Sequence, residues 1–195
     1  GGCYTHYVDN TSPNATDSNN PNGTADKPRK TIPKSNIPTG SVIEIHGGPY
    51  IIGQTIITAQ GSPDQPIFLR GYSETDKPLI TYGDLYINSQ YMIIENIRRM
   101  DRGIIARSFA DKPAHHIAVR NCEVHNAPNG ISAVSYDDGW PVTDVVIYNN
   151  YVHLDNFDPD AGEFPEDDET GVYIQRHSER VWVLDNLFHT RKGDA

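Results

Sequence analysis

The chain has 195 residues, 36% of them hydrophobic, with 16 Gly, 14 Pro and two Cys. That length suits one domain with a sizeable core, while so many turn residues exclude a helical bundle and favour short strands. A formal charge of −10 and a pI near 5.1 argue against nucleic acid or an anionic membrane surface as main partner. No apolar run approaches the length of a membrane span.

Residues 9–39 are dense in Asn, Asp, Pro, Ser, Thr and Gly and read as loop, so residues 1–40 are expected to form an irregular N-terminal cap. Three sequons crowd that segment (Asn10-Thr-Ser, Asn14-Ala-Thr, Asn22-Gly-Thr) and favour export. Cys3 and Cys122 permit one disulfide, but Cys122 lies in a core pattern where a free thiol is equally at home. From Val42 onward, strand-length runs follow one another between turn residues: "SVIEI", "YIIGQTIIT", "PIFLRGY", "PLITY" and "LYINS".

An internal repeat organises the rest. "YMIIENIRR", "IAVRNCEVH", "VIYNNYVH" and "VWVLDNLFH" align without gaps, anchored on Asn96, Cys122, Asn150 and Asn186 at intervals of 26, 28 and 36 residues. Ile93, Ile117, Val119, Val145, Ile147, Val181 and Val183 then share one parity and are expected to point inward. At the bend, Asn121, Asn149 and Asp185 occupy a position that suits a left-handed conformation. The next position predicts an inward amide column, with Cys122 interrupting it. After the bend, Val124, Val152 and Phe188 turn inward, and His125, His153 and His189 fall outside.

Between these segments run strands that open with glycine: "GIIA" at Gly103, "GISAV" at Gly130 and "GVYIQ" at Gly171. From Cys122 to Gly130 takes 8 residues, whereas from Asn150 to Gly171 takes 21. The additional residues form an insertion. Between Asp155 and Glu169 it carries eight carboxylates and no Lys or Arg.

These patterns predict an all-β, right-handed parallel β-helix over residues 41–195. The opening "YVDNTSPNATDSNNPNGTADKPRKTIP", with "GSVIEIHGGPY" and "PIFLRGY", resembles secreted right-handed parallel β-helix proteins, including polysaccharide lyases similar to the pectate lyases. The stacked-Asp calcium motif of the best-known lyases is absent, and only "YDDGW" at Tyr136–Trp140 is faintly similar to it. The resemblance implies an extracellular carbohydrate-active protein. Its substrate would lie along the Gly-led strands, beside the long turns that precede them.

Three groups of residues suit such chemistry. In the acidic insertion, Asp160, Glu163, Asp167 and Asp168 are candidate Ca²⁺ ligands, with a solvated acidic loop as the alternative. The His125, His153 and His189 column suits zinc or a general base, or is simply a repeated outward position. A lyase working by β-elimination must neutralise a uronate carboxylate and remove the adjacent proton. Arg176, His177 and Lys192, with Arg191 beside them, are the candidates for that work. Tyr173, Gln175, Tyr136 and Trp140 are candidate substrate contacts.

A glycosidase would need two carboxylates roughly 5–10 Å apart, for which Asp137, Asp138, Asp167 and Asp168 offer too many choices. "NFDPDAG" is similar to the "DPH" motif of β-helix mannuronan epimerases, but Asp160 replaces the histidine. The pattern also stops at "HTRKGDA" where a further inward strand is due, which predicts an uncapped coil covered by more chain or by a partner. A non-catalytic β-helix for surface attachment, self-associating through that coil, is the rival expectation.

Overall fold

A computed structural model describes residues 3–109, 112–154 and 170–190. The acidic stretch 155–169, with Asp160, Glu163, Asp167 and Asp168, lies outside the described residues, as do Arg191 and Lys192. All regular structure among the described residues is β. No described helix is long and apolar enough to cross a membrane.

The chain begins with β1 (His6–Asp9) and then runs through β2 (Val42–His46), β3 (Tyr50–Ile51) and β4 (Thr55–Ile57). The same succession recurs as β5 (Ile67–Gly71), β6 (Leu79–Thr81) and β7 (Leu85–Ile87), then as β8 (Gln90–Glu95), β9 (Arg98–Met100) and β10 (Ile104–Arg107). It continues with β11 (His115–Arg120), β12 (Glu123–His125) and β13 (Asn129–Ser135), then β14 (Val142–Tyr148), β15 (Tyr151–Leu154) and β16 (Thr170–Arg176). The last described strands are β17 (Ser178–Leu184) and β18 (Leu187–Thr190).

From β2 onward every third strand pairs, β1 lies beside β2, and all these pairings are parallel, so three sheets form. One is seven-stranded (β1-β2-β5-β8-β11-β14-β17), one six-stranded (β3-β6-β9-β12-β15-β18) and one five-stranded (β4-β7-β10-β13-β16). This topology is consistent with a parallel β-helix. Alternate residues of all three sheets fill one apolar core, including Ile43, Ile45, Ile67, Leu69, Ile117, Val119, Ile147 and Val152.

The expected parity holds for Ile117, Val119, Val145 and Ile147, but not for Ile93. Ile117 pairs with Met92 and Val119 with Ile94, so Met92 and Ile94 are the buried pair and Ile93 is half-buried on the other face. The alignment of that first segment is therefore one residue out of register. Asn96 joins Asn121, Asn149 and Asp185 at the bend, with φ of 56°, 53°, 51° and 53°. Ile97 takes the inward position next to Cys122. Val183 is 39% exposed on β17, the last described strand of its sheet. Cys3 and Cys122 are both free.

The glycines that open β10, β13 and β16 answer to close packing. A Cβ on Gly130 would meet the carbonyl of Gly171 and the side chain of Val152, and one on Gly171 would meet the ring of Phe188. One inward position breaks the apolar rule. Arg99 takes the place that Ile80, Val124 and Val152 hold in neighbouring coils, and it is fully buried.

Candidate functional site on the face of the glycine-led sheet

In β10, β13 and β16, inward residues alternate with outward ones, and the parallel register stacks the outward ones in columns. One column runs Ile56, Tyr86, Ile105, Ser132 and Tyr173. The next runs Arg107, Val134 and Gln175. The small Ser132 and Val134 therefore lie low between larger side chains from the coils on either side.

At the C-terminal ends of these strands the chain gathers rings and guanidiniums. Tyr136 follows β13, and its ring takes the Arg107 guanidinium carbon at 4.7 Å and that of Arg176 at 4.6 Å. The two arginines come from the strands on either side of β13. Arg107 also lies 4.7 Å from the Phe109 ring and 5.3 Å from the Tyr86 ring, which meet edge to face at 6.0 Å. Such contacts hold a guanidinium by its faces and leave the planar fork of donors for hydrogen bonding. Arg107 Nε is buried and has no hydrogen-bond partner among the described residues. Arg176 ends its strand with a φ of 57°, a left-handed conformation that costs a non-glycine residue energy.

His177 follows directly, and its Nε2 lies 2.7 Å from Oδ1 of Asp138 in the turn after β13. Trp140, in the same turn, is 37% exposed, and its carbonyl accepts a hydrogen bond from the Ser135 hydroxyl. Thus the predicted Tyr136, Arg176 and His177 lie at one end of the sheet, Tyr173 and Gln175 lie on its outer face, and Trp140 flanks them. Lys192 and the four predicted Ca²⁺ ligands lie outside the described residues.

Arg107, Phe109 and Tyr86 were not singled out from the sequence, although a signal for Arg107 exists. It stands four residues after Gly103, as Val134 does after Gly130 and Gln175 after Gly171.

The histidine column is real as geometry: His125 and His153 rings lie 5.5 Å apart, and His153 and His189 rings 4.8 Å. All three pack edge to face rather than converging their nitrogens. Burial pushes the His125 imidazole below its usual range, partly offset by the nearby Glu123 carboxylate. Among the described residues no group of three His, Cys, Asp or Glu is arranged to hold a metal ion, so zinc at this column has no support.

No family model matches the chain. No curated protein sequence matches it either. Among solved structures, the fold is similar to that of the alginate lyase from Paenibacillus sp. str. FPU-7, with a TM-score of 0.56 and 18% identity. The likeness covers 78% of this chain and 61% of that one, so this chain spans about three fifths of the alginate lyase's length. At that identity the likeness concerns the fold.

Proposed function

We propose that the protein is an extracellular carbohydrate-active β-helix of right-handed coil, capped by residues 1–40, that binds an acidic polysaccharide on the glycine-led face and cleaves it by β-elimination. The observation that carries this reading is the flanking of Tyr136 by Arg107 and Arg176. The Tyr136 ring holds both guanidiniums by their faces, and guanidiniums pair with carboxylates through two parallel hydrogen bonds. The fold shared with an alginate lyase lends it further support.

In this reading Arg176 neutralises the uronate carboxylate and so acidifies the adjacent C–H. His177, oriented by Asp138, takes that proton, the C–H electron pair forms the C=C bond, the glycosidic C–O bond breaks, and the leaving oxygen takes a proton from the imidazolium so formed or from water. Lys192 is the further candidate cation, while Tyr173, Gln175 and Trp140 contact the chain. Ca²⁺ gathered by Asp160, Glu163, Asp167 and Asp168 would add positive charge beside the substrate carboxylate.

Affinity electrophoresis in gels containing a polyuronate or a neutral glucan tests the binding step. Retardation in the polyuronate gel alone, weakened by Arg176→Ala and by calcium chelation, is the expected result. Equal mobility in both gels refutes the reading.

A scaffold role is the second reading, favoured by exposed Trp182, Leu184 and Leu187 on β17 and β18. A monomer at all concentrations in sedimentation would exclude the self-association it requires.

A further inference from the structure

We propose that a hollow at the N-terminal end of the core binds a small aliphatic carboxylate, with its chain inside and its head group at Lys30 and Lys34. A cavity of about 240 Å³ lies there between the first coil, β2 to β4, and the cap segment of residues 30–34. Its floor is Leu69, Ile80 and Leu85, one inward side chain from each sheet of the second coil, and all three are buried. The cavity is separate from the cluster around Tyr136, and the inference does not rest on the polysaccharide reading.

Two residues of the first coil account for the hollow. Thr55 stands in register with Leu85, Ile104 and Ile131, so a threonine holds the inward position where the next three coils place leucine or isoleucine. Its hydroxyl already donates to the Gly53 carbonyl at 3.1 Å. Tyr50, in register with Ile80, donates its hydroxyl to the His46 carbonyl and accepts the Asn10 N–H at 3.1 Å, which holds the ring against the wall. A mainly apolar hollow offers water few partners and favours an apolar guest.

The lysines set the sign of the guest. Lys30 and Lys34 both line the cavity, are exposed, and make no ion pair among the described residues, in a chain of net charge −10. Asp17 accepts the Lys30 backbone N–H, but Arg29 and the Thr31 hydroxyl already engage its carboxylate. Ile51, exposed on the same lining, carries the apolar wall out to the surface. Two ammonium groups above an apolar floor suit a single carboxylate on a hydrocarbon chain.

Calorimetric titration of the full chain with butanoate, hexanoate, octanoate and octylamine tests this. Affinity for the carboxylates should rise about threefold to fourfold with each added CH₂. Octylamine, with the same chain and the opposite charge, should bind about tenfold more weakly than octanoate, and Lys30→Glu combined with Lys34→Glu should erase that preference. Thr55→Phe, which fills the hollow, should weaken octanoate binding by about tenfold or more. Circular dichroism establishes that each variant is folded; if Thr55→Phe is not, the chain-length series and the lysine variant decide. Equal affinities for butanoate and octanoate, equal affinities for octanoate and octylamine, or undiminished octanoate binding by folded Thr55→Phe each overturn the proposal. Absence of binding by every carboxylate overturns it too, and none of these results bears on polyuronate cleavage.

Discussion

Asn186 Oδ1 accepts two hydrogen bonds from Asn150, one from its backbone N–H and one from its side-chain amide, each at 2.9 Å. Asn150 repeats the arrangement one coil earlier: its own Oδ1 accepts the backbone N–H of Cys122 at 2.9 Å, and its amide donates to the Val119 carbonyl at 2.9 Å. The bend between the seven-stranded and six-stranded sheets interrupts the ladder of backbone bonds. Here buried side-chain amides supply the missing partners.

Asn150→Leu should therefore cost more than its change in shape. It leaves the Cys122 N–H and the Val119 carbonyl without partners, at about 1–3 kcal/mol for each orphaned group. Urea unfolding should show a lower midpoint with an unchanged slope. A midpoint like that of the unsubstituted protein would show that the amide column is dispensable.

Arg99→Met should be neutral or stabilising at neutral pH. Burial pushes the Arg99 guanidinium down to about 10, against the opposing pull of Asp84 and Asp101. Its nitrogens reach only the carbonyls of Ile80 and Gly83, and Nε has no hydrogen-bond partner among the described residues. Methionine fills a comparable volume without a buried charge. A loss above about 2 kcal/mol in thermal unfolding would instead assign the guanidinium a necessary role in tying those carbonyls.

The Arg180–Asp144 pair should stabilise the fold at neutral pH and cease to do so in acid. Arg180 donates from Nε to Asp144 Oδ1 at 2.7 Å and from Nη2 to Oδ2 at 2.9 Å. These bonds hold the Asp144 carboxyl well below the usual carboxylate range, despite desolvation pushing the other way. Its folded value is depressed, so the contribution is full above the unfolded value of about 4 and fades as pH falls below it. The stability difference between the unsubstituted protein and Arg180→Gln, followed by urea midpoints, should narrow below that pH. A constant difference would contradict the pairing.

Thiol labelling should distinguish the two cysteines. Cys3 is exposed, whereas Cys122 is buried and its thiol is pushed up to about 12, chiefly by desolvation. One thiol should react in the native protein and two after unfolding. Two reactive native thiols would contradict the burial of Cys122.

Much of the fold was legible because coil upon coil of parallel strands writes its geometry as a period. Asn121, Asn149 and Asp185 marked the bend, since few other residues tolerate its left-handed conformation. Gly103, Gly130 and Gly171 marked the opening of each outer strand, where a side chain has no room. Asn96 misled because it looks equally at home at the bend and in the amide column, and only the pairing of Ile117 with Met92 decides between them. Arg99 was invisible for a different reason: nothing in "NIRRM" says which of two adjacent arginines turns inward. The site was half legible. Tyr136 stood out in "YDDGW" and Arg176 in the cluster of cations after "GVYIQ", whereas Arg107 carries only its spacing from Gly103 and is drawn to the others by a contact across strands.

The central claim, β-elimination of an acidic polysaccharide at the glycine-led face, is tested most directly by incubating the protein with a polyuronate and following ultraviolet absorbance of the new C=C bond. Absorbance should rise with the unsubstituted protein, fall by about 100-fold or more in rate with Arg176→Ala and with His177→Ala, and stay flat with a neutral glucan. No rise with any polyuronate, or an undiminished rate in both variants, would contradict it.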